Sequence, residues 1–146
     1  ARLTTMGQLT GSIAHEVNQP IAATVISAQA ALRWLGRQPP DLDEARQLLP
    51  SVREMTAEAA RQAEAVADAI DDIDEDDPQR TILGAELKLI VDGWSEQIRA
   101  LGVEAKGLWL VDFDNGSGYY CWQYPEDGLH FYHSYEEGFS GRMRIQ

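Results

Sequence analysis

Apolar residues recur at Leu3, Met6, Leu9, Ile13, Val17, Ile21, Val25, Ala28, Leu32 and Leu35, in steps of three and four. That is the period of a helix with one buried stripe, and it predicts a helix over residues 2–37. Pro20 removes one backbone donor and crowds the carbonyl of Glu16. The stripe resumes in phase at Ile21, so a kink is expected rather than a stop. Gly36 and then Pro39-Pro40 end the segment. A second helical stretch runs from Asp41 to about Ile73, with Leu48, Val52, Met55, Ala59, Ala63, Val66, Ile70 and Ile73 as its stripe. Asp41 followed by Glu44 reads as an N-cap with a capping box. Pro50 is expected to kink or split this helix, and its many alanines make it thin enough for another helix to approach closely. A third helix is expected over residues 78–102, opened by Asp77-Pro78 and closed by Gly102, with Leu83, Leu87, Ile90, Trp94, Ile98 and Leu101 on one side.

The period then changes. Gly107 to Phe113, Tyr119 to Tyr124 and Leu129 to Tyr135 are rich in aromatic and β-branched residues. Asn115-Gly116 and Asp127-Gly128 between them are strong hairpin signals. They predict a three-stranded antiparallel meander, followed by a loop-like tail over residues 136–142. The expected fold class is therefore α+β: a long helical hairpin, a third helix, and the meander covering one side of the helices. So much apolar stripe on a two-helix hairpin exceeds what a monomer covers, so a homodimer through a helical bundle is expected.

Composition narrows the function classes. The 146 residues carry 24 acidic and 12 basic side chains, a net charge of −12. This balance opposes a nucleic-acid surface and an anionic membrane surface, both of which need clustered Lys and Arg. No apolar run is long enough to span a bilayer. The N-terminus enters a helical pattern at once, with no signal-peptide core and no initiator Met, so it reads as a fragment boundary and the expected compartment is the cytoplasm. With one cysteine, Cys121, no intramolecular disulfide forms and no cysteine-based zinc site is expected.

Candidate chemistry falls in two places. In the first helix, His15 lies about 150° from the centre of the apolar stripe, at roughly 100° per residue, and so faces water beside Glu16 and one turn before Gln19-Pro20. In the meander, Asp112, Cys121, His130 and His133 are the residues from which a metal or nucleophile cluster would be built. Two-residue turns at Asn115-Gly116 and Asp127-Gly128 would put Asp112 and Cys121 on one face and His133, opposite Trp122, on the other. That parity argues against a compact triad unless a bulge near Pro125 intervenes. The remaining clusters have plainer readings. The acids from Asp71 to Asp77 lack the glycine and spacing of a calcium loop and read as a solvated linker. The aromatics of the strands read as packing against the helices, and Arg142 and Arg144 as partners of surface acids.

The run Ser12-Ile13-Ala14-His15-Glu16-Val17-Asn18-Gln19-Pro20-Ile21-Ala22-Ala23, with Ala31 to Leu35 and Pro39 to Ala45, resembles the dimerisation and phosphoacceptor helix of sensor histidine kinases. The resemblance implies His15 as the phosphorylated residue, Glu16 as the acid that orients or deprotonates the imidazole, and Gln19 as the position that assists dephosphorylation. An exposed imidazole held in one tautomer by a neighbouring carboxylate suits that role. From about Asp41 onward, Leu42 to Pro50, Gly107 to Phe113, Tyr120-Cys121-Trp122 and His133 through Arg142 resemble a family of small bacterial proteins of unknown function. The chain thus divides into a kinase-like phosphoacceptor helix, 1–40, and a helical-hairpin and β-meander domain, 41–146, as in a chimera. No glycine-rich nucleotide boxes of a kinase ATP-binding domain are present, so the chain is not expected to phosphorylate itself. It would bind no cofactor of its own and meet ATP-Mg only through a kinase domain in trans, with a response regulator as the further partner. The alternative is a non-catalytic structural or interaction module in which the kinase-like helix only packs. A third reading is an enzyme built on Asp112, Cys121 and His133.

Overall fold

The computed structural model describes residues 40–146. Within them the fold is α+β: helices α1 (Leu42–Asp71) and α2 (Gln79–Ala100) precede strands β1 (Glu104–Gly107), β2 (Leu110–Asp114), β3 (Tyr119–Gln123), β4 (Phe131–His133) and β5 (Met143–Arg144). The helix expected over residues 2–37 lies outside the described residues.

The start of α1 is set locally. The Asp41 carboxylate accepts from the Glu44 N–H at 2.8 Å, and the Glu44 carboxylate accepts from the Asp41 N–H at 3.3 Å, a closed capping box. Pro50 neither ends nor splits the helix, which runs unbroken across it. Leu48 and Leu49 before it and Val52 after it are all buried, so packing on both sides holds the segment helical despite the missing donor. At the far end, the Arg80 guanidinium donates to the carbonyls of Ile70 and Ile73 at 2.9 and 3.1 Å, satisfying the end of α1. The acidic stretch is thus a tight connection. Helix α2 begins one residue later than expected, at Gln79, whose N–H is accepted by Asp77 at 2.8 Å.

Helix α2 folds back along α1. Ala59 and Ala63 are buried on the α1 face, where small side chains allow close approach. Thr56 is fully buried between the helices: its hydroxyl donates to the Val52 carbonyl at 2.6 Å and accepts from the Trp94 indole N–H at 2.8 Å. The core continues through Ile98, Leu101 and Val103 into the sheet, where Val111, Phe113 and Trp122 project from one face onto the helices.

The sheet is an antiparallel meander of five strands in the order β1-β2-β3-β4-β5. The three expected strands form its centre, and two short edge strands extend it. Gly107 closes β1 instead of opening β2, and Trp109, at φ 60°, carries the intervening turn. The tail read as a loop contains a 3₁₀ turn, Phe139–Gly141, and then β5. The aromatics divide between the faces: Trp109, Tyr120, Trp122 and Tyr124 pack on the helix side, whereas Tyr119, Phe131 and Tyr135 lie on the opposite face.

Candidate functional site

Strand register decides what the second sheet face holds. The β2–β3 turn centres on Gly116-Ser117, one residue beyond the expected Asn115-Gly116, and Asn115 N–H donates to the Gly118 carbonyl at 2.9 Å. Asp112 therefore pairs directly with Cys121. The β3–β4 connection is not a two-residue turn at Asp127-Gly128. It spans residues 124–130, an odd number, and pairs Tyr119 with His133 and Cys121 with Phe131. An odd connection reverses the parity of β4, so His133 faces the side of Asp112 and Cys121 and not the side of Trp122. The parity that argued against a compact triad is overturned, by an irregular connection that includes Pro125. His130 stays apart, its ring 3.1 Å from the exposed Asp127 carboxylate.

The three side chains meet in an enclosed place. Asp112, Cys121 and His133 are all buried, and one ligand atom from each lies within 4.8 Å of the others. His133 Nε2 sits 3.1 Å from Asp112 Oδ2, and His133 Nδ1 lies 2.8 Å from the Ser134 carbonyl. A carbonyl only accepts, so Nδ1 carries a proton. The Nε2···Oδ2 contact then needs one further proton, held by either atom. Asp112 Oδ1 is buried with no donor among the described residues other than the weak Cys121 thiol beside it.

Two cations border this group. Lys106 Nζ lies 3.3 Å from Asp112 Oδ2, 3.7 Å from Glu104 and 3.9 Å from the centre of the Tyr119 ring. Burial would lower the Lys106 pKa, but Asp112, Tyr119 and Glu104 together outweigh it and the ammonium is held above its ordinary value. Arg142 pairs with both carboxylate oxygens of Glu126 at 2.9 and 3.0 Å and stacks over Phe131 and Phe139 at 4.1 and 4.0 Å. Its pairing with an acid was legible in the sequence; the involvement of Lys106 was not, because nothing in a lone lysine beside a predicted strand marks it.

The arrangement limits the chemistry. Burial, and then the charge of the neighbouring Asp112 and its hydrogen bond with the thiol, pushes Cys121 up to about 12, with Arg142 opposing the shift. A nucleophilic cysteine is the reverse case: lowered and accessible. Nor does the imidazole bridge thiol and acid as a catalytic base does, because Nδ1 is taken by the Ser134 carbonyl and Nε2 faces the carboxylate. A cysteine-nucleophile enzyme at this site is disfavoured on both grounds. What the three groups share is lone-pair donors aimed at one another, a ligand set. The positions His15, Glu16 and Gln19 lie outside the described residues.

Residues 41–145 match the family model described as an uncharacterized conserved protein (DUF2203). Over 52 residues, 36% of this chain, the sequence is 42% identical to the sensor histidine kinase TmoS of Ectopseudomonas mendocina. That stretch is 5% of the kinase's length, so the chain spans a small part of this curated relative. No solved structure matches the chain. Among the described residues no helix is long and apolar enough to cross a membrane.

Proposed function

We propose, from the premise that the chain belongs to the uncharacterized conserved protein family DUF2203, that its family domain is a non-catalytic module attached to a dimerisation and histidine-phosphoacceptor helix of the two-component type. The observation that carries this reading is the 42% identity to a sensor histidine kinase over 52 residues, taken with the Ser12 to Pro20 run. In it, His15 attacks the γ-phosphorus of ATP presented by an ATP-binding domain in trans. The bond to ADP breaks, a P–N bond forms, and Glu16 orients the ring and takes its proton. Gln19 assists later hydrolysis, and a response regulator receives the phosphoryl group in the cytoplasm. Helices of two copies form the dimer that presents His15. The enclosed Asp112–Cys121–His133 group speaks against a cysteine nucleophile in this domain, since its thiol is neither exposed nor ionised near neutral pH.

A second reading is favoured by one observation: the family match begins at residue 41. On that reading the preceding helix only packs, and the chain is an interaction module without phosphoryl chemistry. Incubating the full chain with a sensor-kinase ATP-binding domain and γ-labelled ATP separates the two. The first predicts an acid-labile, alkali-stable label that disappears in His15→Ala. A folded, dimeric chain that takes no label rejects it in favour of the second.

A further inference from the structure

We propose that Asp112, Cys121 and His133 form a binding site for one zinc-class divalent metal ion. The argument begins with unsatisfied lone pairs. The Ser134 carbonyl fixes the proton of His133 on Nδ1, which turns the Nε2 lone pair toward Asp112. A backbone carbonyl on the distal nitrogen is the arrangement that orients a metal-ligating histidine. A single proton shared by Nε2 and Oδ2 serves that pair but leaves Asp112 Oδ1, buried at 2% residue exposure, with no donor other than the weak Cys121 thiol beside it. A divalent cation satisfies nitrogen, sulfur and carboxylate together.

The donor set selects the metal. Magnesium and calcium take oxygen ligands, whereas one imidazole, one thiolate and one carboxylate suit zinc. In a tetrahedral zinc site, neighbouring ligand atoms are about 3.3–3.7 Å apart. The His133–Asp112 separation of 3.1 Å is already close to that, and the widest separation in the group, within 4.8 Å, has to close by about 1 Å. The fourth position is left for water or a ligand. The expectation that a single cysteine rules out a cysteine-containing zinc site assumed several thiolates; here the carboxylate and imidazole arrive from adjacent strands instead. Cysteine ligates as the thiolate, so a proton leaves Cys121 as the ion enters. Lys106, at 3.3 Å from Oδ2, is the group that competes with the metal, and its side chain has Glu104 and the Tyr119 ring to turn to.

Cobalt(II) gives a direct test on the full chain, stripped with chelator and kept reduced. The chain has one cysteine, so a thiolate-to-cobalt charge-transfer band reports Cys121 alone. The expected result is such a band saturating at one cobalt per chain and abolished by zinc. Cys121→Ser removes it, and His133→Gln weakens binding by at least about 100-fold, since even losing an outer-shell partner costs 10–100-fold. Lys106→Met, at a partly exposed side chain, tightens binding by about tenfold through loss of a like charge. If the two buried variants fail to fold, the native spectrum and Lys106→Met still decide. A folded native chain with no charge-transfer band overturns the proposal. So does metal binding with a spectrum unchanged in folded Cys121→Ser, which would place the ion at other histidines or acids.

Discussion

Replacing His133 with phenylalanine isolates a buried carboxylate. The ring volume is nearly preserved, but Asp112 Oδ2 loses the contact at 3.1 Å and keeps only Lys106 at 3.3 Å, while Oδ1 has only the weak Cys121 thiol near it. Both side chains of the pair are 3% exposed, so solvent screens the loss poorly. Breaking a buried pair by removing one member costs about 3–5 kcal/mol. That is a large share of the ~5–15 kcal/mol that holds a domain folded. With a urea slope of about 1.5 kcal/mol/M, the unfolding midpoint falls by about 2–3 M. Equilibrium unfolding in chelator, followed by tryptophan fluorescence, measures this without any contribution from bound metal. The double variant Asp112→Leu/His133→Phe removes both polar partners and recovers most of the loss, because an apolar pair is often neutral or better at such a site. A His133→Phe loss below about 1 kcal/mol, or a double variant no more stable than the single, refutes the account of Asp112 as a buried acid dependent on His133.

Two further outcomes follow from contacts elsewhere. Thr56→Val keeps the shape of the side chain but strands the Trp94 indole N–H, bonded at 2.8 Å in the native fold, between the helices. A loss of about 1–3 kcal/mol is expected, read as a lower urea midpoint at unchanged slope. The Tyr135 hydroxyl donates to Asp114 at 2.6 Å, and that bond is the main reason its phenol is pushed up to about 12. The folded state thus holds this proton more tightly than the unfolded chain, and the contact's contribution is present below the ordinary phenol pKa near 10 and is lost as pH rises toward 12. In Asp114→Asn, ultraviolet titration shows one tyrosine ionising earlier than in the native chain.

What could be read from the sequence depended on how far each feature reaches along it. The Asp41–Glu44 box spans three residues, and both the helix start and its partners were legible. The stripes of α1 and α2 were legible because packing follows their period; Trp94 and Ile98 lie where the stripe puts them. The α+β class followed from the change of period after Gly102. The edge strands were not legible, because Glu104–Gly107 and Met143–Arg144 are short and lack β-branched or aromatic residues. The site was half legible. Asp112, Cys121 and His133 could be named from their chemistry, and Asp112 and Cys121 could be put on one face. The position of His133 depended on whether the link after β3 held an even or odd number of residues. A strong Asp-Gly turn signal suggested even, but Trp122 and Gln123 fix Glu126 by hydrogen bonds to the indole and backbone, and this longer loop sets the register instead.

The order of the sheet bears on how the cluster is assembled as the chain is made. Each strand pairs with the one synthesised just before it, from Glu104–Gly107 to Met143–Arg144. The pairings are therefore local in sequence and impose little loop-closure delay. Asp112 and Cys121 are brought face to face as soon as the second hairpin strand is available, and His133 joins with the next. The Phe139–Gly141 turn, Arg142 and β5 come last. Closing the cluster thus needs only three strands consecutive in sequence, and its assembly adds no long loop to the folding of the sheet.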